Sequence, residues 1–203
     1  MPIALIGASG NAGSRILAEL SRRGHRVTAL VRHPEAIPAL PGVTAQAADV
    51  GDGETLAKLL EGHDAVISSV HFTASDAPTL IAAVRTSGVG RYLVVGGAGS
   101  LAVAPGKRLI DDPGFPAVYR EEAGKGAAFL DLLRGTEDLD WTFLSPSAEF
   151  IAGERTGVFR LGSDDLLVDA NGRSWISFED YAIALVDEVE TPRHPKARFT
   201  VGY

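Results

Sequence analysis

The sequence predicts an α/β fold built on a doubly wound parallel sheet, and three observations carry that prediction. Short apolar runs alternate with amphipathic stretches of helical length over most of the chain. The runs Val66-Ile67 and Val94-Val95 are apolar at consecutive positions, as strands covered on both faces by helices require. Three glycines, Gly7, Gly10 and Gly13, follow the first apolar run and open the first helical stretch.

The first strand is expected at Ile3–Ile6, followed by a helix over about Ala12–Gly24 and a second strand at Val27–Val31, one βαβ unit. The turn between strand and helix reads Gly7-Ala8-Ser9-Gly10-Asn11-Ala12-Gly13, a G-x-x-G-x-x-G spacing rather than the commoner G-x-G-x-x-G. Glycine lacks a Cβ, so the backbone can turn sharply and let a pyrophosphate approach the free N–H groups at the helix start. A tight turn would use glycine too, but the strand before and the βαβ length after favour a dinucleotide cradle formed by these seven residues. The sheet is then of Rossmann type.

Further elements follow in alternation: a short strand at Val43–Gln46, a helix at Glu54–Leu60, a strand at Ala65–Val70, a helix at Thr79–Ser87 and a strand at Arg91–Val95. A helix at Glu121–Arg134 leads into a strand at Trp141–Leu144. Past Pro146 the pattern changes to short β-like pieces at Gly157–Gly162, Leu166–Val168 and Arg198–Val201. A last helix at Phe178–Val189 is capped by Ser177, with Asp180 in the capping-box position. Residues 1–203 thus read as one domain, with 145–175 and 190–203 contributing a small C-terminal substrate-side lobe.

A net charge of −7 argues against nucleic-acid or anionic-membrane partners, which select basic surfaces. No cysteine is present, so thiolate nucleophiles and thiolate metal sites are excluded and redox work falls to a bound cofactor. The five histidines lack metal-ligand spacing and are expected in solvent or loops, and no metal site is expected. The apolar runs are strand length and the N-terminus does not read as a signal peptide, so a cytoplasmic protein is expected.

The end of the second strand selects the cofactor: an acid there suits the free ribose hydroxyl of NAD, an arginine the 2′-phosphate of NADP. The sequence places Arg32 there, with Ser9 and Asn11 as neutral donors, so NADP(H) is expected ahead of NAD(H); a solvated strand-end charge is the alternative. Asp49 and Val50 fit either an adenine contact or a turn cap. Ser68, Ser69 and Val70 are expected along the cofactor's middle, with Gly96 and Gly97 after the fifth strand and Pro146 and Ser147 beside the nicotinamide. A loop from Gly96 to Ala117 is long enough to be functional. Trp141 and Trp175 are expected in the core, and Glu154-Arg155-Thr156 as a substrate-side rim or a turn.

The assembled motifs resemble the atypical short-chain dehydrogenase/reductase group, specifically the NAD(P)H-binding family of NADH-flavin reductases akin to biliverdin reductase B, with NmrA-like relatives. They are Gly7 to Gly13, Leu30-Val31-Arg32, Gly96-Gly97-Ala98-Gly99-Ser100-Leu101, Leu139 to Pro146, Gly153-Glu154-Arg155-Thr156-Gly157 and Ile176 to Ala182, spread over essentially the whole chain. The resemblance implies a single-domain NAD(P)H-dependent oxidoreductase that passes hydride to a flavin or another small planar acceptor, with FMN or FAD a substrate rather than a prosthetic group. The chain departs from the superfamily's Tyr-x-x-x-Lys: Tyr119 and Lys125 are six apart, and Glu121 stands four before Lys125. Flavin reduction tolerates that loss because its proton can come from solvent. Ser100, Lys125 and His71 are the catalytic candidates: Ser100 toward the acceptor, Lys125 toward a ribose or phosphate, His71 at the mouth of the nicotinamide pocket. The alternative is a non-catalytic NADP(H)-sensing regulator of NmrA-like type. A sugar-nucleotide epimerase needs the missing Tyr/Lys pair, and a homodimer is left open.

Overall fold

The computed structural model describes all 203 residues. In chain order the elements are β1 (Pro2–Ile6), α1 (Asn11–Arg22), β2 (Arg26–Val31), β3 (Val43–Ala47), α2 (Gly53–Leu60), β4 (Ala65–Ser68), α3 (Ala77–Ser87) and β5 (Arg91–Val95). A hairpin, β6 (Ala102–Ala104) and β7 (Lys107–Arg108), precedes α4 (Arg120–Arg134) and β8 (Asp140–Ser145). The chain closes with β9 (Glu149–Ile151), β10 (Arg160–Gly162), β11 (Trp175–Ser177), α5 (Phe178–Glu190) and β12 (Ala197–Gly202).

Eight strands form one sheet in the order β10-β12-β8-β5-β4-β1-β2-β3, all parallel except β10 against β12. β1 lies between β2 and β4, so the chain reverses its direction of travel across the sheet there. Ligands of open α/β sheets bind beyond the strand ends at such a switch point. The expected doubly wound sheet is present. Its last strand was expected in the lobe; instead β12 pairs with β8 and extends the main sheet, leaving the lobe to the small β9–β11 sheet and the segments around it.

Alternate strand residues feed two cores. Ile3, Leu5, Val27 and Ala29 face α1 and α5, while Ala4, Ile6, Val66 and Tyr92 face α2, α3 and α4. Burial on both faces explains the uniform apolarity of these strands. Helix starts are fixed by side chains: Asp52 accepts from Thr55 N at 3.1 Å, Asp76 from Thr79 N at 3.0 Å and Ser177 from Asp180 N at 3.0 Å.

α1 and α5 lie side by side in the same direction, joined by a charge ladder. Arg15 pairs with Glu179 at 2.9 Å near their starts, and Arg23 pairs with Asp187 and Glu190 at 2.7 Å near their ends. His25 lies in the turn between α1 and β2, within the expected solvent-or-loop setting, but is buried there at the foot of that ladder with Nε2 2.8 Å from Glu190. The expected β-like piece at Leu166–Val168 is irregular, joined to β6 by a single bridge between Asp165 and Ala102. No helix is long and apolar enough to cross a membrane.

Candidate functional site

The turn after β1 sits against the end of β4. Gly7 has φ +80°, donates its N–H to Leu30 O at 2.9 Å, and would drive a Cβ to 2.2 Å from Ser69 O. Only glycine satisfies both demands. Gly10 caps α1 without a side-chain hydrogen bond, and no acidic residue occupies the helix's first turn. Ser9, Gly10 and Asn11 are exposed. The first turn of α1 is thus left without a side-chain cap and with the helix dipole behind it, an arrangement suited to an anionic group.

Arg32 follows β2 directly, and its side chain is exposed with no ion-pair or hydrogen-bond partner in the chain. Asp49 is exposed, and its Oδ1 accepts from Gly51 N at 2.9 Å, so its carboxylate shapes the turn before α2 while Val50 packs partly into the core. β4 ends at Ser68, leaving Ser69 and Val70 in the segment beyond it.

Three residues expected along the cofactor are taken up by the fold. Ser68 is buried, and its hydroxyl bonds the Tyr92 phenol at 2.9 Å inside the core. Ser147 is buried and donates to Val201 O at 3.0 Å. Gly96 is buried where a Cβ would lie 2.3 Å from the Phe143 ring, so its smallness serves packing. Gly97 is partly exposed and Pro146 buried at the end of β8.

Past β4 the chain makes a 3-10 turn, Phe72–Ala74, clamped to the first turn of α4. Glu122 accepts from Phe72 N and Thr73 N at 2.8 Å each and from the Thr73 hydroxyl at 2.7 Å, and His71 Nδ1 lies 3.2 Å away. Burial alone would raise the Glu122 carboxyl, but these donors together hold it below its ordinary value. Phe72 anchors the turn, stacked on Phe143 at 6.2 Å and edge-on to Phe129 at 5.8 Å. His71 itself projects into solvent. Nothing in the sequence marks Glu122, because its partners lie some fifty residues away.

Lys125 pairs with Glu121, Nζ to Oε1 at 3.2 Å, so a carboxylate occupies the place of the superfamily's tyrosine. Tyr92 and Tyr181 are fully buried, and burial pushes both phenols up, so neither exchanges protons with a ligand. Ser100 is half-buried, with its Oγ 3.3 Å from Arg198.

The Gly153–Gly157 segment is a strap over the start of α5. Gly153 N donates to Glu179 at 2.9 Å, Ser177 Oγ to Glu154 O at 2.9 Å, and Thr156 N and Gly157 N to Asp180 at 2.8 Å each. Arg155 turns away to Glu19 of α1, Nε to Oε2 at 3.0 Å. Trp175 is half-buried instead of core: its ring lies 4.3 Å from that of Tyr203 and 4.4 Å from the Arg173 guanidinium. Trp141 is in the core as expected.

Comparison with known proteins agrees with this geometry. A family model described as NAD(P)H-binding matches residues 7–192. The uncharacterised protein YwnB of Bacillus subtilis is 42% identical over 211 residues, covering 99% of this chain and 98% of YwnB. The crystal structure of a Bacteroides thetaiotaomicron protein provisionally assigned as an epimerase superposes with a TM-score of 0.95 at 43% identity, covering 100% of this chain and 96% of that one. A Streptococcus pneumoniae protein provisionally assigned as an NADH-flavin reductase superposes with a TM-score of 0.83 at 38% identity, covering 100% and 99%. With its Rossmann-type sheet, glycine turn and near-complete match, the chain belongs to the NAD(P)H-binding family.

Proposed function

We propose that this protein is an NADPH-preferring reductase of a flavin or similar planar acceptor. The observation that carries this is the pairing of Lys125 with Glu121 where a tyrosine–lysine dyad would stand. A carbonyl reductase or an epimerase needs a phenol to move a proton at the substrate; reduction of a flavin needs the two reactants aligned and a proton from water. Bound NADPH supplies the hydride. The start of α1 holds its pyrophosphate, Arg32 with Ser9 and Asn11 selects its 2′-phosphate, and the clamped Phe72–Ala74 turn with the Gly97–Ser100 segment flanks the acceptor. The provisional assignment of the S. pneumoniae relative as an NADH-flavin reductase supports the acceptor class.

Following absorbance at the nicotinamide band with NADPH and NADH in parallel, with and without FMN, tests this. FMN-dependent loss of the NADPH signal is the expected result. NADPH binding with no turnover on flavins or quinones would overturn it in favour of an NADP(H)-sensing regulator.

A further inference from the structure

We propose that Arg198 is a positioning residue that fixes the Ser100 hydroxyl as a hydrogen-bond donor facing the acceptor, an inference that rests on the reductase reading above. Arg198 lies on β12 with its side chain only 3% exposed. Its neighbours along that strand and across on β8, Phe199 and Phe143, are fully buried apolar residues, and an apolar side chain would be the cheaper occupant. A buried guanidinium there calls for a reason beyond filling space.

The guanidinium divides its donors. Nε bonds Asp164 Oδ1 at 2.7 Å, and Nη2 bonds the same oxygen and lies 3.5 Å from Asp164 O. Asp164 is also 3.6 Å from Arg134 and remains largely exposed, so this side of the fork is a tether to the lobe. Nη1 alone points the other way, between Ser100 Oγ at 3.3 Å and Ser145 Oγ at 3.4 Å, at the carboxyl ends of β5 and β8.

Arginine has five donors and no acceptor, so both serines must accept from it. A hydroxyl that accepts on one side sends its single O–H elsewhere. Ser145 is fully buried, whereas Ser100 is half-exposed on the turn after β5, and its O–H is the one able to reach a bound molecule. The ligand group it suits is a carbonyl or ring-nitrogen acceptor on a planar heterocycle. Charge from the guanidinium strengthens that donor.

The test is a double-mutant cycle on the full chain loaded with NADP⁺, read by quenching of FMN fluorescence. Ser100→Ala and Arg198→Met are each expected to weaken FMN binding about five- to tenfold, the worth of one hydrogen bond. The double variant should bind no worse than Ser100→Ala alone, because Arg198 acts through Ser100. In turnover the same loss appears in KM for FMN with little change in kcat. Unaltered FMN binding in Ser100→Ala, or losses that multiply in the double variant, would overturn the proposal and leave Arg198 a lobe tether. Should Arg198→Met not fold, Arg198→Lys, whose single ammonium cannot serve Asp164 and Ser100 together, closes the cycle. Wild-type FMN binding without NADPH turnover would sink the reductase reading while the cycle still decides this one; no FMN binding at all would overturn both.

Discussion

A Cβ on Gly13 would lie 2.1 Å from the Gly7 carbonyl oxygen, so the first turn of α1 rests directly on the turn that leaves β1. Both atoms belong to backbone fixed by the sheet, and neither can give way cheaply. Gly13→Ala is expected to destabilise by about 3 kcal/mol, a fall in melting temperature of roughly 6–12 °C for a chain of this size. Calorimetry checks it, and a variant melting within a degree of wild type would show that the two turns are not in contact.

Gly10 offers the contrasting case in the same loop. Its φ of −71° suits any residue, and a Cβ there meets nothing closer than 3.5 Å, so Gly10→Ala should fold normally. The new methyl would stand at the start of α1, where the proposed reading seats the pyrophosphate. NADPH binding, followed by nicotinamide fluorescence, is expected to weaken about tenfold with the melting temperature nearly unchanged.

Arg32 should set the coenzyme preference. Arg32→Asp removes a charge-assisted contact and brings a carboxylate beside the 2′-phosphate position, so NADPH affinity is expected to drop about thirtyfold or more while NADH affinity holds. Equal losses for both coenzymes would show that Arg32 does not read the 2′-phosphate.

The sheet and the turn after β1 were legible because their signals are local: Val66-Ile67 and Val94-Val95 declare two covered faces, and Gly7, Gly10 and Gly13 declare a turn. Position at a strand end did not reveal which way a side chain points. Ser68 ends a strand and Ser147 follows one, as ligand residues do, yet their hydroxyls close onto Tyr92 and Val201 inside the core. The hairpin β6–β7 and the pair β9–β11 use runs of two or three residues, too short for any periodicity to register. Glu122 and Arg198 gain their meaning from partners distant in sequence, at Phe72–Thr73 and at Ser100.

Asp180 is fully buried yet accepts from Thr156 N, Gly157 N and the Tyr203 phenol, the last at 2.7 Å. Asp180→Asn would turn an amide N–H₂ toward at least one of these donors, with an expected cost of about 2–3 kcal/mol. The loss should be local first: hydrogen exchange at Thr156 and Gly157 is expected to accelerate well before exchange in β1 or β4. Uniform acceleration across the sheet would mean that the strap is not a separate unit.

Glu122 gives stability a pH dependence whose sign follows from its depressed carboxyl. Because the folded value lies below the ordinary 4.5, the folded state binds this proton less readily than the unfolded chain. The stabilisation is therefore fully present above about pH 4.5 and is lost as pH falls through the lower folded value. Glu122→Gln keeps the shape but leaves one acceptor oxygen where there were two, turning an amide N–H₂ toward Phe72 N or Thr73 N, and should cost about 1–2 kcal/mol at pH 7. In denaturant titrations the gap between wild type and Glu122→Gln should be widest at neutral pH and narrow below pH 4 as wild type loses the same charge. A gap constant from pH 7 to pH 3 would show that the carboxylate's charge contributes nothing to the clamp.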